Sequence, residues 1–214
     1  MKRRTLDMLF SIGGLVLAGL LLVLGIVLTS NASFAKNYVA DQLSQQNISF
    51  KTSETLTEEE KASACVVQYA GQKLTTGKQA ECYANDFIGL HIKATADGQT
   101  YADLGTPQSA LRAQVQEAQT TGASNLADLQ KQLTAVTGQR ETLFKGETLR
   151  GLLLTSYGFS EFGTKAAAAA NVAFGAAALL ALLAIAGLVH AFRTPQSTPF
   201  APVERTDRPT PVSH

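Results

Sequence analysis

Charge is scarce in this sequence and unevenly placed. Over 214 residues the formal net charge is +1 and only 16% of side chains are charged, so the one-sided balance of a nucleic-acid-binding protein is missing. Histidine and cysteine are few, with three of the first and two of the second, which leaves little material for a metal centre. Two long stretches, Met8 to Leu28 and Ala166 to Phe192, hold no Lys, Arg, Asp or Glu at all. About 20 apolar residues cross a bilayer as a helix. These gaps in the charge pattern therefore exclude an ordinary soluble globule, although the mean hydropathy of +0.06 would suit one.

What is present fits an all-α chain with two transmembrane helices around a small helical extracytoplasmic domain. Lys2, Arg3 and Arg4 precede the first apolar run and hold that end in the cytoplasm, and Arg193, Arg205 and Arg208 follow the second, so both termini are expected inside. The expected order is a basic tail over 1–7, a first span over 8–29, the extracytoplasmic domain over 30–165, a second span over 166–192, and a disordered Pro/Thr-rich cytoplasmic tail over 193–214. Within the domain, 143–165 forms an amphipathic juxtamembrane lead-in. Ser33-Phe34-Ala35 offers small residues of the kind a signal peptidase uses, whereas the length of the apolar run favours a retained anchor. Cleavage would change only the number of anchors.

Small residues line both apolar runs. Ser11, Gly14, Ala18 and Gly25 share one face of the first, and Ala169, Ala173, Ala177 and Ala181 repeat every fourth position in the second. Such faces let helices approach closely in lipid, so they are candidates for packing against each other or against a partner helix. The competing reading is that Gly and Ala are common in membrane helices and Ala is a good helix former.

Between the runs the pattern is helical. Thr57 caps a helix that opens with Glu58, Glu59 and Glu60, read as a solvated start, and Ala62, Cys65, Val66, Tyr69 and Ala70 follow on one face. Ala80, Tyr83, Ala84, Phe87, Ile88 and His91 mark a second helix, and Asp97-Gly98 marks a turn. Thr106-Pro107 predicts the start of a third, with Leu111, Val115 and Ala118 apolar. Leu126, Leu129, Leu133 and Val136 predict a fourth that Gly138 interrupts. Phe34 and Tyr38 after the first span, and Tyr157, Phe159 and Phe162 before the second, sit where an interfacial aromatic belt is expected.

The stretches NYVADQL (37–43), QYAGQKLTTGKQAECYANDFIGLHI (68–92), GQTYADL (98–104) and LFKGETLRGLLLTSYGF (143–159) resemble a family of uncharacterised actinobacterial two-span membrane proteins. The shared features are YAGQ, a following YA-x-x-FI-x-x-H, and TLRGLLL-x-x-Y ahead of the second span. The resemblance implies a bacterial cell envelope and brings no activity with it, and it leaves Cys65 and Cys82 unexplained.

Those two cysteines both fall in the segment expected outside the cytoplasm, where thiols tend to be oxidised. A bridge would close a loop of about 17 residues, worth about 3 kcal/mol. Against it, Cys65 lies on its helix's apolar face while Cys82 lies off the Ala80/Tyr83/Phe87 face. Two free small apolar side chains are the alternative.

No reactive set assembles. His91, His190 and His214 are expected on two sides of the membrane and in a tail, so no metal or cofactor site is expected. Residues 158–163, GFSEFG, have one residue too many for a nucleophile elbow and no strand before them. His91 reads as a hydrogen-bonded structural histidine. Asn31 and Asn47 begin glycosylation sequons that carry no meaning in a bacterium. Arg150 among leucines, with Tyr157, is the candidate partner contact. The expected function is accordingly non-enzymatic: an accessory, scaffold or interaction subunit in the plasma membrane. It would contact the bilayer and another membrane or envelope protein or a second copy of itself, with no nucleic acid and no cofactor. The alternative is an envelope sensor or a module that binds a small or lipidic molecule.

Overall fold

The computed structural model describes residues 3–195. Lys2, Arg205, Arg208, His214, the Thr-Pro pairs at Thr198 and Thr210, and the tail from 196 onward lie outside the described residues. Within them all regular structure is helical, apart from one isolated antiparallel bridge between Ser49 and Lys73. The helices are α1 (Arg3–Gln45), a 3-10 turn (Ser53–Thr55), α2 (Glu58–Lys61), α3 (Ala64–Gln68), α4 (Gly77–Cys82), a π-helical turn (Tyr83–Ile88), α5 (Gly89–Thr95), α6 (Gly105–Thr121) and α7 (Leu126–Arg193). Both α1 and α7 are long and apolar enough to cross a membrane. The chain forms two compact units, Met1–Asn31 with Ala166–His214, and Ala32–Lys165.

In the first unit, helix packing follows the small residues. On α1 the buried positions are Ser11, Ala18 and Gly25, with Gly14 half-buried between them; on α7 they are Ala170, Ala173, Ala177, Ala184 and Ala191. Ala169 is exposed and Ala181 only half-buried. A strict four-residue row advances about 40° round the helix at each step, so it drifts off a contact line whose mean period is nearer 3.5 residues. The backbones meet closely: a Cβ on Gly14 would lie 3.3 Å from Ala184, one on Gly25 2.6 Å from the Phe174 ring, and one on Gly187 would collide with the Ser11 hydroxyl. Large apolar side chains such as Phe10, Leu20, Leu182 and Leu183 are exposed on the outside of this unit.

The second unit is built round Val39, Leu43, Phe50, Val66, Leu74, Ala84, Ile88, Ile92, Leu104, Leu143 and Leu153. A file of rings runs through it, Tyr69 to Phe50, Tyr83, Phe87 and His91, with successive centroids 5.5, 5.1, 4.7 and 4.6 Å apart. Beside that file sits Glu60. Thr57 and Glu60 form a capping box, as Thr57 predicts, but Glu60 is not solvated: its side chain is fully buried. Its carboxylate accepts from Lys51 Nζ at 2.7 Å and from the Thr57 amide at 2.8 Å, and lies 3.1 Å from His91 Nε2. Burial pushes the carboxyl pKa upward. The Lys51 and Thr57 hydrogen bonds, with the charges of Lys51 and His91, outweigh it and hold the group below its ordinary value.

Three predicted boundaries shift. The helix predicted to continue through Ala70 divides into α2 and α3 because Ser63 caps the second piece, accepting from the Val66 amide at 3.3 Å. Thr106 is not a cap: α6 begins at Gly105 after Leu104, following a turn closed by Thr100 and Asp103 at 2.8 Å. Gly138 does not interrupt α7, which continues through it and through the expected lead-in to Arg193. A single glycine costs a helix only about 1 kcal/mol, which the packed flanks absorb.

Two outcomes test this account. Gly25→Leu should lower the thermal stability of the detergent-solubilised protein by about 1–3 kcal/mol through overpacking, whereas Gly19→Leu, with nothing within 4 Å of its would-be Cβ, should leave it unchanged. Because the folded-state pKa of Glu60 is depressed, its contribution is present above the unfolded-state value and lost as pH falls through the folded one. Denaturant titrations from pH 7 downward should show that acid loss, and Glu60→Gln should flatten it while costing about 3 kcal/mol at neutral pH.

Candidate functional site

The second unit carries an open cleft of about 770 Å³. One wall comes from the start of α3, a second from the π-helical turn and α5, and a third from Leu143, Glu147 and Arg150 on α7. Cys65 and Cys82 are joined, with S–S 2.02 Å and Cα–Cα 6.0 Å, and this bridge pins α3 to the end of α4. The position of Cys82 off one apolar face proves no obstacle, because α4 is buried on several sides: Gln79, Ala80 and Cys82 are all covered, and Gly77 abuts Ser160.

A π-helical turn is rare and recurs at functional sites. Here it places Asn85 and Asp86 on the cleft. Asp86 Oδ2 accepts from the Ser63 hydroxyl at 3.2 Å and lies 2.8 Å from Cys65 Sγ. A bridged sulfur has no hydrogen to give, so that second approach is a contact and not a hydrogen bond. The ligand atoms of Cys65, Cys82 and Asp86 lie within 4.8 Å of one another, yet both sulfurs are consumed by the bridge, and metal binding requires thiolates.

Arg150 is the centre of the third wall. Its Nη1 donates to Glu147 at 3.3 Å and its Nη2 to Asn85 at 3.2 Å, while Nε is buried with no acceptor among the described residues. Gly89 lies beneath it, where a Cβ would be 3.9 Å from Nε. Tyr157, the other candidate partner contact, is engaged within the unit: its hydroxyl is 3.2 Å from Lys78 Nζ, which also lies 4.6 Å from the ring centroid. The Tyr157 and Glu81 hydrogen bonds hold the Lys78 ammonium above its ordinary pKa. His91 donates from Nδ1 to the Phe87 carbonyl at 2.6 Å, opposite its Glu60 contact, so it is a hydrogen-bonded, half-exposed side chain at the edge of the core. Ser160, inside the GFSEFG stretch, is on α7 against Gly77. Phe34, Tyr38 and Phe159 cluster with centroids 5.7–6.5 Å apart.

Sequence reasoning singled out Arg150 but missed the groups that converge on it. Asn85 and Glu147, which bond to Arg150, come from the π-helical turn and from α7, and Asp86 and Lys93 line the same cleft from the run of the turn into α5. It also missed a pair in the first unit, where His190 Nε2 lies 3.8 Å from Asp7 Oδ2, a buried oxygen with no hydrogen-bond donor among the described residues.

Compared with protein-family models, with curated proteins and with solved structures, the chain finds no match in any of the three.

The bridge closes a sequence separation of 17, so reduction, or the Cys65→Ala/Cys82→Ala pair, should lower stability by about 3 kcal/mol. The urea midpoint of oxidised against reduced protein measures this, and identical midpoints would remove the bridge as the restraint on the cleft wall.

Proposed function

We propose that this chain is a two-span protein of a bacterial cell membrane, with both termini in the cytoplasm. In this reading the Ala32–Lys165 unit stands outside and serves as a non-enzymatic recognition module. The apolar stretches of α1 and α7, the basic residues ahead of the first and the family resemblance support the location. The cleft carries the recognition role. Its volume falls in the range of small-molecule sites, and its polar groups are held by hydrogen bonds of 3.2–3.3 Å and by the bridge instead of being arranged as nucleophile and base.

The accessory-subunit reading rests on the helical faces of the domain, the small-residue spans and the lack of a reactive set. Gly14 and Gly25 of α1 are occupied by Ala184 and Phe174 of the same chain, so a protein partner would meet the larger outward apolar side chains. That arrangement favours the binding module over the subunit.

Native mass spectrometry of the full chain in mild detergent discriminates between the two. A co-purifying small-molecule adduct that Gly89→Phe removes, with the Cys65–Cys82 bridge still intact, is the expected result. A stoichiometric protein partner retained by both forms, with no adduct on either, would overturn it.

A further inference from the structure

The cleft holds charges of both signs in a fixed order. The continuous run from the π-helical turn into α5 carries Asp86 at one end and Lys93 two turns later, with Gly89 between them, and all three line the cleft. At helical rise the two charged positions are about 10 Å apart along the axis. Glu59 lines the cleft as well, adding a second carboxylate, and Arg150 from α7 adds a guanidinium over Gly89.

Asp86 and Lys93 are without an ion-pair partner among the described residues, and Arg150 has one, Glu147, at 3.3 Å. Asp86 has a hydroxyl, Ser63, as its polar partner and no cation within ion-pairing distance among the described residues. Lys93 has no carboxylate within that distance among the same residues. Arg150 spends two donors on long bonds to Glu147 and Asn85 and keeps a buried Nε–H without an acceptor. Each Nη nitrogen has a second hydrogen beyond its bond to Glu147 or Asn85, and the planar guanidinium suits bidentate carboxylate binding. Asp86 and Glu59 call for the opposite group, an ammonium.

We infer that the cleft binds a small zwitterion carrying a free ammonium and a free carboxylate, as an amino acid or a short peptide does. The carboxylate binds at Arg150, flanked by Lys93, and the ammonium at Asp86, flanked by Glu59. Gly89, with no side chain, lets Arg150 lie close to the helix between Asp86 and Lys93. This assignment rests on the recognition reading above and names its ligand class.

Titration calorimetry on the full-length protein in detergent tests it with alanine, alanyl-alanine, N-acetyl-alanyl-alanine and alanyl-alanine amide. Saturable binding of a zwitterionic form is expected, with each capped form weaker by about tenfold or more. Alanine against alanyl-alanine separates the single amino acid from the peptide. Asp86→Asn should erase the difference between the free and N-acetylated forms, and Arg150→Gln the difference between the free acid and the amide. Equal affinity for capped and free forms would overturn the zwitterion assignment while leaving the binding module standing. No saturable heat with any probe would overturn it too, and the adduct seen or not seen by native mass spectrometry then decides the broader reading separately.

Discussion

A fully buried carboxylate is the constraint to which the second unit answers. Glu60 sits on a helix of four residues that could not persist alone. Leaving its charge unpaired would cost several kcal/mol, so Lys51, the Thr57 amide and His91 must all reach it. Meeting that demand fixes three segments at once. The Lys51 segment pairs with the strand-like stretch at Lys73 through the Ser49 bridge, α2 is locked by its capping box, and α5 is held through His91. The ring file from Tyr69 to His91 packs alongside, with Lys51 Nζ 5.4 Å from the Phe87 centroid. The cleft inherits its rigidity from this arrangement, because the π-helical turn that presents Asn85 and Asp86 lies between the bridge at Cys82 and the histidine at 91.

The elements readable from sequence are those whose cause is local. Thr57-Glu60 is a capping box in any context, the apolar runs of α1 and α7 need no partner to be recognised, and the Asp97-Gly98 turn follows from its residues, which adopt φ of 51° and 83°. What escaped is whatever depends on a distant segment. Nothing near Glu60 announces Lys51 nine positions earlier or His91 far downstream, so a buried hub looks like a solvated helix start. Of the stripe at Ala169, Ala173, Ala177 and Ala181, the line of contact keeps Ala173 and Ala177, but its different period drops Ala169 and adds Ala170 and Ala184. Gly138 looks like a breaker only if tertiary support for α7 is ignored.

The candidate site was legible at a single residue. Arg150 stands out as a lone cation among leucines, but its setting is assembled from α3, the π-helical turn, α5 and α7. Local propensity gives no warning of a π-helical turn, and that turn decides which of the residues from Tyr83 to Ile88 face the cleft. The cysteine pair was easier, since count and expected compartment both pointed to a bridge without any geometry.

The small-residue seam of the first unit has a consequence for the order in which the chain is made. Synthesis runs from α1 to α7, and the contacts around Glu60 can close as soon as His91 has been made. Ser11, Gly14 and Gly25 must wait for Ala184, Phe174 and Gly187, which are among the last residues of α7 to be added. For most of its synthesis, therefore, α1 has no helical mate from its own chain. Its shallow glycine-lined groove stays uncovered by its own chain until the closing helix arrives.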